Sequence, residues 1–286
     1  MTQAAPIHAI VQDFSLEMTG KDIPGLLEGA PSLPQGTKMN VTFLGNEDLE
    51  MRLAASKAVL EQGLVPVPHI SARRIKSQEM LEEFLSALAA QNTIEHVFAV
   101  GGDPVEPEGP YEDSLALIKS GLFEKYGVRE VSIGGYPEGH PEISNEKLWA
   151  ALTDKSAELK SRGLGGVIIT QFGFDVAPVL EYAKRVREAG IDFPIRVGVP
   201  GPAGIKRLLT FAARFGIASS AGIAKKYGFS ITNLLGTAGP NKFIDELAKL
   251  HDPQVHGTLE LHFYTFGGVA ATSEWIRDYN AGKFSK

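Results

Sequence analysis

Short runs dense in apolar, β-branched and aromatic residues recur along the chain, separated by longer stretches whose apolar positions repeat every three or four residues. The runs are HAIVQDFSLEM (8–18), MNVTFLG (39–45), VPVPHIS (65–71), HVFAVGG (96–102), VSIGGYP (131–137), GVIITQF (166–172), PIRVGVP (194–200) and LELHFYTF (259–266). The intervening segments DLEMRLAASKAVLEQG, EMLEEFLSALAAQ, NEKLWAALTDKSAELKSRG and APVLEYAKRVREAG have helical period, and Gly63, Gly163 and Gly190 stand where helices end. Regular strand–helix alternation predicts a parallel sheet. Eight units in a chain of this length predict a single (β/α)8 TIM barrel, read as one domain over residues 1–286. The last gap, residues 201–258, is longer and holds two or more helices (IKRLLTFAARFG, GIAKKYG, NKFIDELAKL). A doubly wound open sheet is the competing architecture, but no Gly-x-Gly-x-x-Gly follows the first strand and no P-loop is present.

A (β/α)8 barrel carries its chemistry at the C-terminal ends of its strands. Alternation along FSLEM sets Asp13, Ser15 and Glu17 on one face and Phe14, Leu16 and Met18 on the other. The apolar face meets the helices, so Glu17 is expected to point toward the barrel axis. His69 ends the third run, Asp103 follows the fourth, Tyr136 ends the fifth and Gln171 the sixth, and the eighth carries His262 and Tyr264. Each has a plainer reading. Glu17 fits a solvated edge, His69 a satisfied core ring, His140 a turn histidine between glycine and proline, and Asp103 a turn-former before Pro104. Convergence of polar side chains at one end of several strands favours a pocket suited to proton transfer on a polar heteroaromatic substrate.

Composition narrows the chemistry further. The 286 residues are 43% hydrophobic and 22% charged, with net charge −6, which argues against a nucleic-acid surface. No cysteine is present, which excludes thiolate catalysis, disulfides and cysteine metal sites. The histidines lack ligand spacing, so no metal is expected. Arg73-Arg74-Ile75-Lys76 is the nearest approach to a basic cluster and reads as a solvated loop. The N-terminus shows no signal peptide and no apolar run reaches about 18 residues. The expectation is a cytoplasmic protein without a membrane span, acting on small molecules, with a homo-oligomer allowed.

In register along nearly the whole chain, the motifs resemble those of the methylenetetrahydrofolate reductase family. SLEM resembles that family's Phe-Glu-Phe, VTFLG its Val-Thr-Tyr-Gly, PHIS its Pro-His-Leu-Thr and GGDP its Arg-Gly-Asp. GGYPEGHPE is the most specific match, to Ala-Tyr-Pro-Glu-x-His-Pro-Glu. ITQFGFD resembles Ile-Thr-Gln-Phe-Phe-Phe-Asp, VPGPAG resembles Pro-Gly-Ile-Leu-Pro, and LHFYTF resembles His-Phe-Tyr-Thr-Leu. The resemblance implies a (β/α)8 barrel that reduces 5,10-methylenetetrahydrofolate to 5-methyltetrahydrofolate with NADH or NADPH, normally through FAD.

Carried onto this sequence, the resemblance makes Glu17 the general acid that opens the folate five-membered ring to an iminium, which requires a raised carboxyl pKa. Asp103 would lie between flavin and pterin, Gln171 and Tyr264 would bind folate, and Thr42, His69, Gly102, Asp103, Tyr136 and His140 would contact the flavin. The two glycines before Asp103 would let a planar cofactor lie on the backbone. The departures are also specific. Gly101 stands for the family's arginine, Thr19-Gly20 for prolines after the acid, and Phe266-Gly267-Gly268 for Leu-Asn-Arg. Cationic helix positions for the flavin diphosphate have no counterpart around 152–162. Losing a guanidinium–phosphate pair removes about 1.5–3 kcal/mol, so FAD would be held weakly, or hydride would pass directly from nicotinamide to folate. A methyltransferase-type C1 barrel and a non-catalytic folate binder remain as readings from other classes.

Overall fold

The computed structural model describes residues 9–214 and 237–284. Eight strands form a closed parallel barrel: β1 (Phe14–Met18), β2 (Lys38–Val41), β3 (Val65–Ser71), β4 (His96–Val100), β5 (Glu130–Gly135), β6 (Gly165–Thr170), β7 (Ile195–Pro200) and β8 (Leu259–Tyr264). Each strand pairs with its neighbours in sequence, and β1 closes on β8 with Ser15 opposite His262 and Leu16 opposite Phe263. This is the architecture expected from the alternation. The first run differs in extent: residues 9–11 form a 3-10 turn and the strand begins only at Phe14. Outside the barrel, a two-stranded ladder joins Ala203–Gly204 to Thr237–Ala238.

Helices α1 (Ile23–Gly29), α2 (Leu49–Glu61), α3 (Gln78–Ala90), α4 (Ser114–Lys119), α5 (Leu122–Lys125), α6 (Asn145–Ser161), α7 (Val176–Glu188), α8 (Ile205–Arg214), α9 (Asn241–Leu250), α10 (Pro253–His256) and α11 (Val269–Asn280) surround the sheet. The expected helix GIAKKYG lies outside the described residues. Side-chain caps fix where α2 and α3 begin, Asp48 accepting from the Met51 N–H at 2.8 Å and Ser77 from the Met80 N–H at 3.2 Å. Gly63, Gly163 and Gly190 end α2, α6 and α7 at φ of +72°, +69° and +74°, as helix C-termini require.

Alternation sorts every strand into two faces. Phe14, Leu16 and Met18 are buried in the large core between sheet and helices, which turns Ser15 and Glu17 inward. Inside the barrel, Val67, Phe98, Val167 and Ile169 form an apolar layer. Toward the N-terminal end, Arg196 is only 3% exposed, and its Nη2 donates to Asp13 and Glu260, each at 2.8 Å. Lys38 approaches Asp13 at 3.6 Å and His96 meets Glu130 at 2.9 Å. One end of the barrel is therefore closed by an ionic layer, and the other is left for chemistry.

Candidate active site

Glu17 stands at the end of β1 with 23% of its side chain exposed to the barrel mouth. Its Oε2 lies 3.7 Å from Nε2 of the fully buried His262, longer than a hydrogen bond. The other ring nitrogen, Nδ1, is 2.8 Å from the buried hydroxyl of Ser15. Carboxylate, imidazole and hydroxyl thus form a line across the β1–β8 seam. Thr265 donates to the Glu17 carbonyl at 2.7 Å, fixing the backbone beneath the acid. Burial pushes the Glu17 carboxyl up, but the neighbouring His262 and His69 rings outweigh it and leave the group below its ordinary range. The raised pKa expected for a proton donor is therefore not a property of the unliganded site.

Tyr264 completes this side. Its ring packs edge-on to His262 at 4.9 Å, and its hydroxyl donates to the Thr170 carbonyl at 3.1 Å. Burial, with the charges of Glu17 and Tyr136, pushes its phenol well up, so it stays a donor. Gln171 accepts from the Phe172 N–H through Oε1 at 3.1 Å. Phe172 packs against Tyr264 and Phe266 with ring separations of 5.3 and 4.9 Å, and Phe266 stacks on Phe211 at 4.0 Å. Phe266, one of the departures from the family pattern, is thus part of an aromatic wall.

Across the mouth, β2 and β3 present polar atoms that nothing satisfies. Thr42 Oγ1, His69 Nε2 and Ser71 Oγ are buried without hydrogen-bond partners, as is Asn40 Oδ1 one step down β2. Buried polar atoms are rarely left so, and three of them lie together at adjoining strand ends. His69 packs edge-on to Phe98 at 4.7 Å, and burial pulls its pKa down to about 4, with Glu17 opposing and His262 reinforcing. It presents a neutral ring. Tyr136 packs edge-on to His140 at 5.6 Å, and His140 Nδ1 accepts from the Glu142 N–H at 3.2 Å, in keeping with a turn histidine.

Asp103 is placed differently from the other candidates. Its side chain is 74% exposed, and Arg74 grips one carboxylate oxygen through Nη2 at 2.6 Å and Nε at 2.8 Å. The two expected carboxylates therefore have separate partners. The reading of residues 73–76 as a solvated loop is corrected here. Arg73 donates through Nε to the Glu112 carbonyl and through Nη1 to those of Pro104 and Val105, stitching the 3-10 turn Ala72–Arg74 to the loop after β4. The glycines also divide in role. Gly102 has φ +98°, and a Cβ there would stand 2.3 Å from Ser71 Oγ, whereas a Cβ on Gly101 would meet nothing within 4 Å. Ser71 crowds Gly102, while open space lies at Gly101.

Ser71, Asn40, Arg74 and the Ser15–His262 contact were not singled out as functional from sequence. The first two carried a usable signal, since each lies two residues before or after a chosen position on its strand.

These features define a class: a (β/α)8 barrel with an acid–histidine pair on one side of its C-terminal mouth and an unsatisfied polar surface on the other. A dihydropteroate synthase from Thermus thermophilus shares the fold, with TM-score 0.52 and 16% identity, covering 96% of this chain and 95% of that one. The family model for methylenetetrahydrofolate reductase matches residues 32–278, and the chain belongs to that family. It is 28% identical over 229 residues to methylenetetrahydrofolate reductase 2 of Saccharomyces cerevisiae, covering 74% of this chain and 36% of that protein. It is 30% identical over 155 residues to 5,10-methylenetetrahydrofolate reductase of Pectobacterium carotovorum subsp. carotovorum, covering 52% and 48%. Methylenetetrahydrofolate reductase (NADH) 1 of Arabidopsis thaliana is 29% identical over 198 residues, covering 61% and 31%. The chain thus spans between about a third and a half of these relatives' lengths.

Proposed function

We propose that this chain reduces 5,10-methylenetetrahydrofolate to 5-methyltetrahydrofolate with a pyridine nucleotide as hydride donor. The observation that carries this reading is the Glu17–His262–Ser15 line at the barrel mouth of a chain in this family. Protonating the bridging nitrogen of the folate opens its five-membered ring and leaves an electrophilic iminium carbon for hydride. Glu17 delivers that proton. A substrate covering the exposed part of the side chain removes its remaining water, and desolvation raises a carboxyl pKa. His262, with Nε2 nearest Glu17 and Nδ1 on Ser15, is the group placed to return a proton to Glu17 once bound substrate draws the pair within hydrogen-bond reach. The printed name of the Arabidopsis relative supports NADH as donor, and NADPH fits the same chemistry.

The unsatisfied atoms of Thr42, His69 and Ser71 fit the hydrogen-bonding edge of a planar ring. Thr42, His69, Gly102, Tyr136 and His140 would hold the ring system of FAD, and when bound it would carry hydride from nicotinamide to folate. The diphosphate has less support. No side chain occupies the open space at Gly101, and Lys155 of α6 is buried in the neighbourhood of Asp113. Asp103 is the anion that favours the cationic iminium once Arg74 releases it, since the pair as it stands carries no net charge.

The test is folate-dependent oxidation of NADH or NADPH by wild type and Glu17→Gln. The variant should lose about 100-fold or more in turnover and keep its circular dichroism and thermal midpoint. Near-normal turnover would remove Glu17 as the acid, and no turnover by wild type with either nucleotide would favour a folate binder.

A further inference from the structure

Apart from the barrel mouth, the described residues form a groove of about 330 Å3 between the β2–α2 loop, α2, α3 and the turn after β3. That volume lies at the small end of the range for small-molecule sites. Phe43, Leu49, Met80 and Phe84 give it an apolar wall. Arg52 lines it too, only 4% exposed, with its guanidinium 3.7 Å from the centre of the Phe43 ring. Its Nη1 donates to the Glu47 carbonyl at 2.7 Å, but Nε is buried with no acceptor. A buried guanidinium with an idle donor is costly unless something supplies an acceptor.

The groove carries both signs of charge. Arg74 and Lys76 join Arg52, facing Glu47, Asp48, Glu83 and Glu108. Two of these carboxylates are already engaged with backbone: Glu47 accepts from the Gly20 and Leu44 N–H groups, and Asp48 caps α2. Glu83 is not held in this way, and Glu108 has only a long ion pair, 3.7 Å to Arg74. With Arg74 held by Asp103, Arg52 and Lys76, the two carboxylates of Glu83 and Glu108 and an apolar wall in one small volume match a molecule with a carboxylate, an ammonium and an apolar body.

We propose that this groove binds a free α-amino acid with an apolar side chain: carboxylate toward Arg52 and Lys76, ammonium toward Glu83 and Glu108, side chain against Phe43 and Phe84. The site shares one residue with the barrel mouth. Arg74 lines the groove while Nε and Nη2 hold Asp103, so the groove's positive potential is lowered by Asp103 and restored when that charge is removed. Binding in the groove does not depend on the reaction proposed above.

Calorimetric titration with L-phenylalanine tests it, with acetate and phenethylamine as probes that each carry one of the two charges. L-phenylalanine should bind with a dissociation constant below about 1 mM, and each single-charge probe at least roughly tenfold more weakly. Lys76 and Glu83 are exposed, so Lys76→Ala and Glu83→Ala should stay folded and each weaken binding by roughly fivefold or more. Asp103→Asn should tighten it by a few-fold. No heat with L-phenylalanine, equal binding of acetate or phenethylamine, or affinity unchanged in both exposed variants would overturn the site. Unchanged affinity in Asp103→Asn would overturn the sharing of Arg74.

Discussion

Burying an imidazole edge-on to Phe98, with Nε2 lacking a hydrogen-bond partner, is tolerable only while the ring is uncharged. His69 has a pKa near 4 in the fold and an ordinary value of 6.5 when unfolded. Between those values the unfolded chain binds the extra proton, so stability falls as pH drops from about 6.5 toward 4 and is fully present above 6.5. A shift of this size contributes at most about 3 kcal/mol. Urea unfolding at pH 7 and pH 5 should show a smaller pH difference for His69→Asn than for wild type; an equal difference would show that His69 does not supply it. Glu17 illustrates what residue-level reading reached. Alternation placed it inward, and so it lies, because Phe14, Leu16 and Met18 had a core to fill. Its ionisation was not legible, since that depends on His262, which is distant in sequence and arrives through strand pairing. Arg74 was missed for the same reason: its partner Asp103 belongs to another loop, and no local pattern distinguishes a solvated arginine from one gripping a carboxylate.

Among the elements, α6 carries a local conflict. Its buried positions are Leu152, Lys155, Ser156 and Leu159, so a lysine stands in the inward stripe. Burial pulls Lys155 down to about 8, with Asp113 opposing. The folded state carries a desolvation penalty at neutral pH, and it regains stability as pH rises from about 8 toward the unfolded value of 10.5. Lys155→Met should therefore raise stability by about 1–3 kcal/mol at pH 7, with the gain shrinking by about pH 10. A denaturant midpoint unchanged at pH 7 would mean that Lys155 finds its hydration in solution. The inward turn of this lysine also bears on the cofactor, because it is the one cation in the buried stripe of α6. Dialysed protein should lose FAD and rebind it in the micromolar range, and retention with nanomolar affinity would refute the weak hold proposed above. Helices with regular spacing and terminal glycines were legible as elements. A lysine facing the wrong way was not, since its position in the stripe shows only once the neighbouring helix is in place.

For the whole molecule, the two ends of the barrel do different work. Arg196 holds the half-exposed Asp13 and the largely buried Glu260 far from the mouth, and removing it leaves the Glu260 charge uncompensated. Arg196→Met should cost about 3 kcal/mol in urea unfolding while the folded fraction keeps its folate-dependent rate; a matching loss of rate would tie the ionic layer to the chemistry. Strand number and barrel closure were legible because eight runs at regular spacing leave few topologies, whereas pairing across the closure had to be seen. That pairing has a temporal consequence. Ser15 and Glu17 leave the ribosome well before His262, as the separation of 247 residues between Ser15 and His262 requires. Domains complete their folding as chain becomes available during synthesis. The acid and its histidine therefore cannot meet until β8 has emerged, and a nascent chain halted before Leu259 holds a candidate acid without the group that serves it.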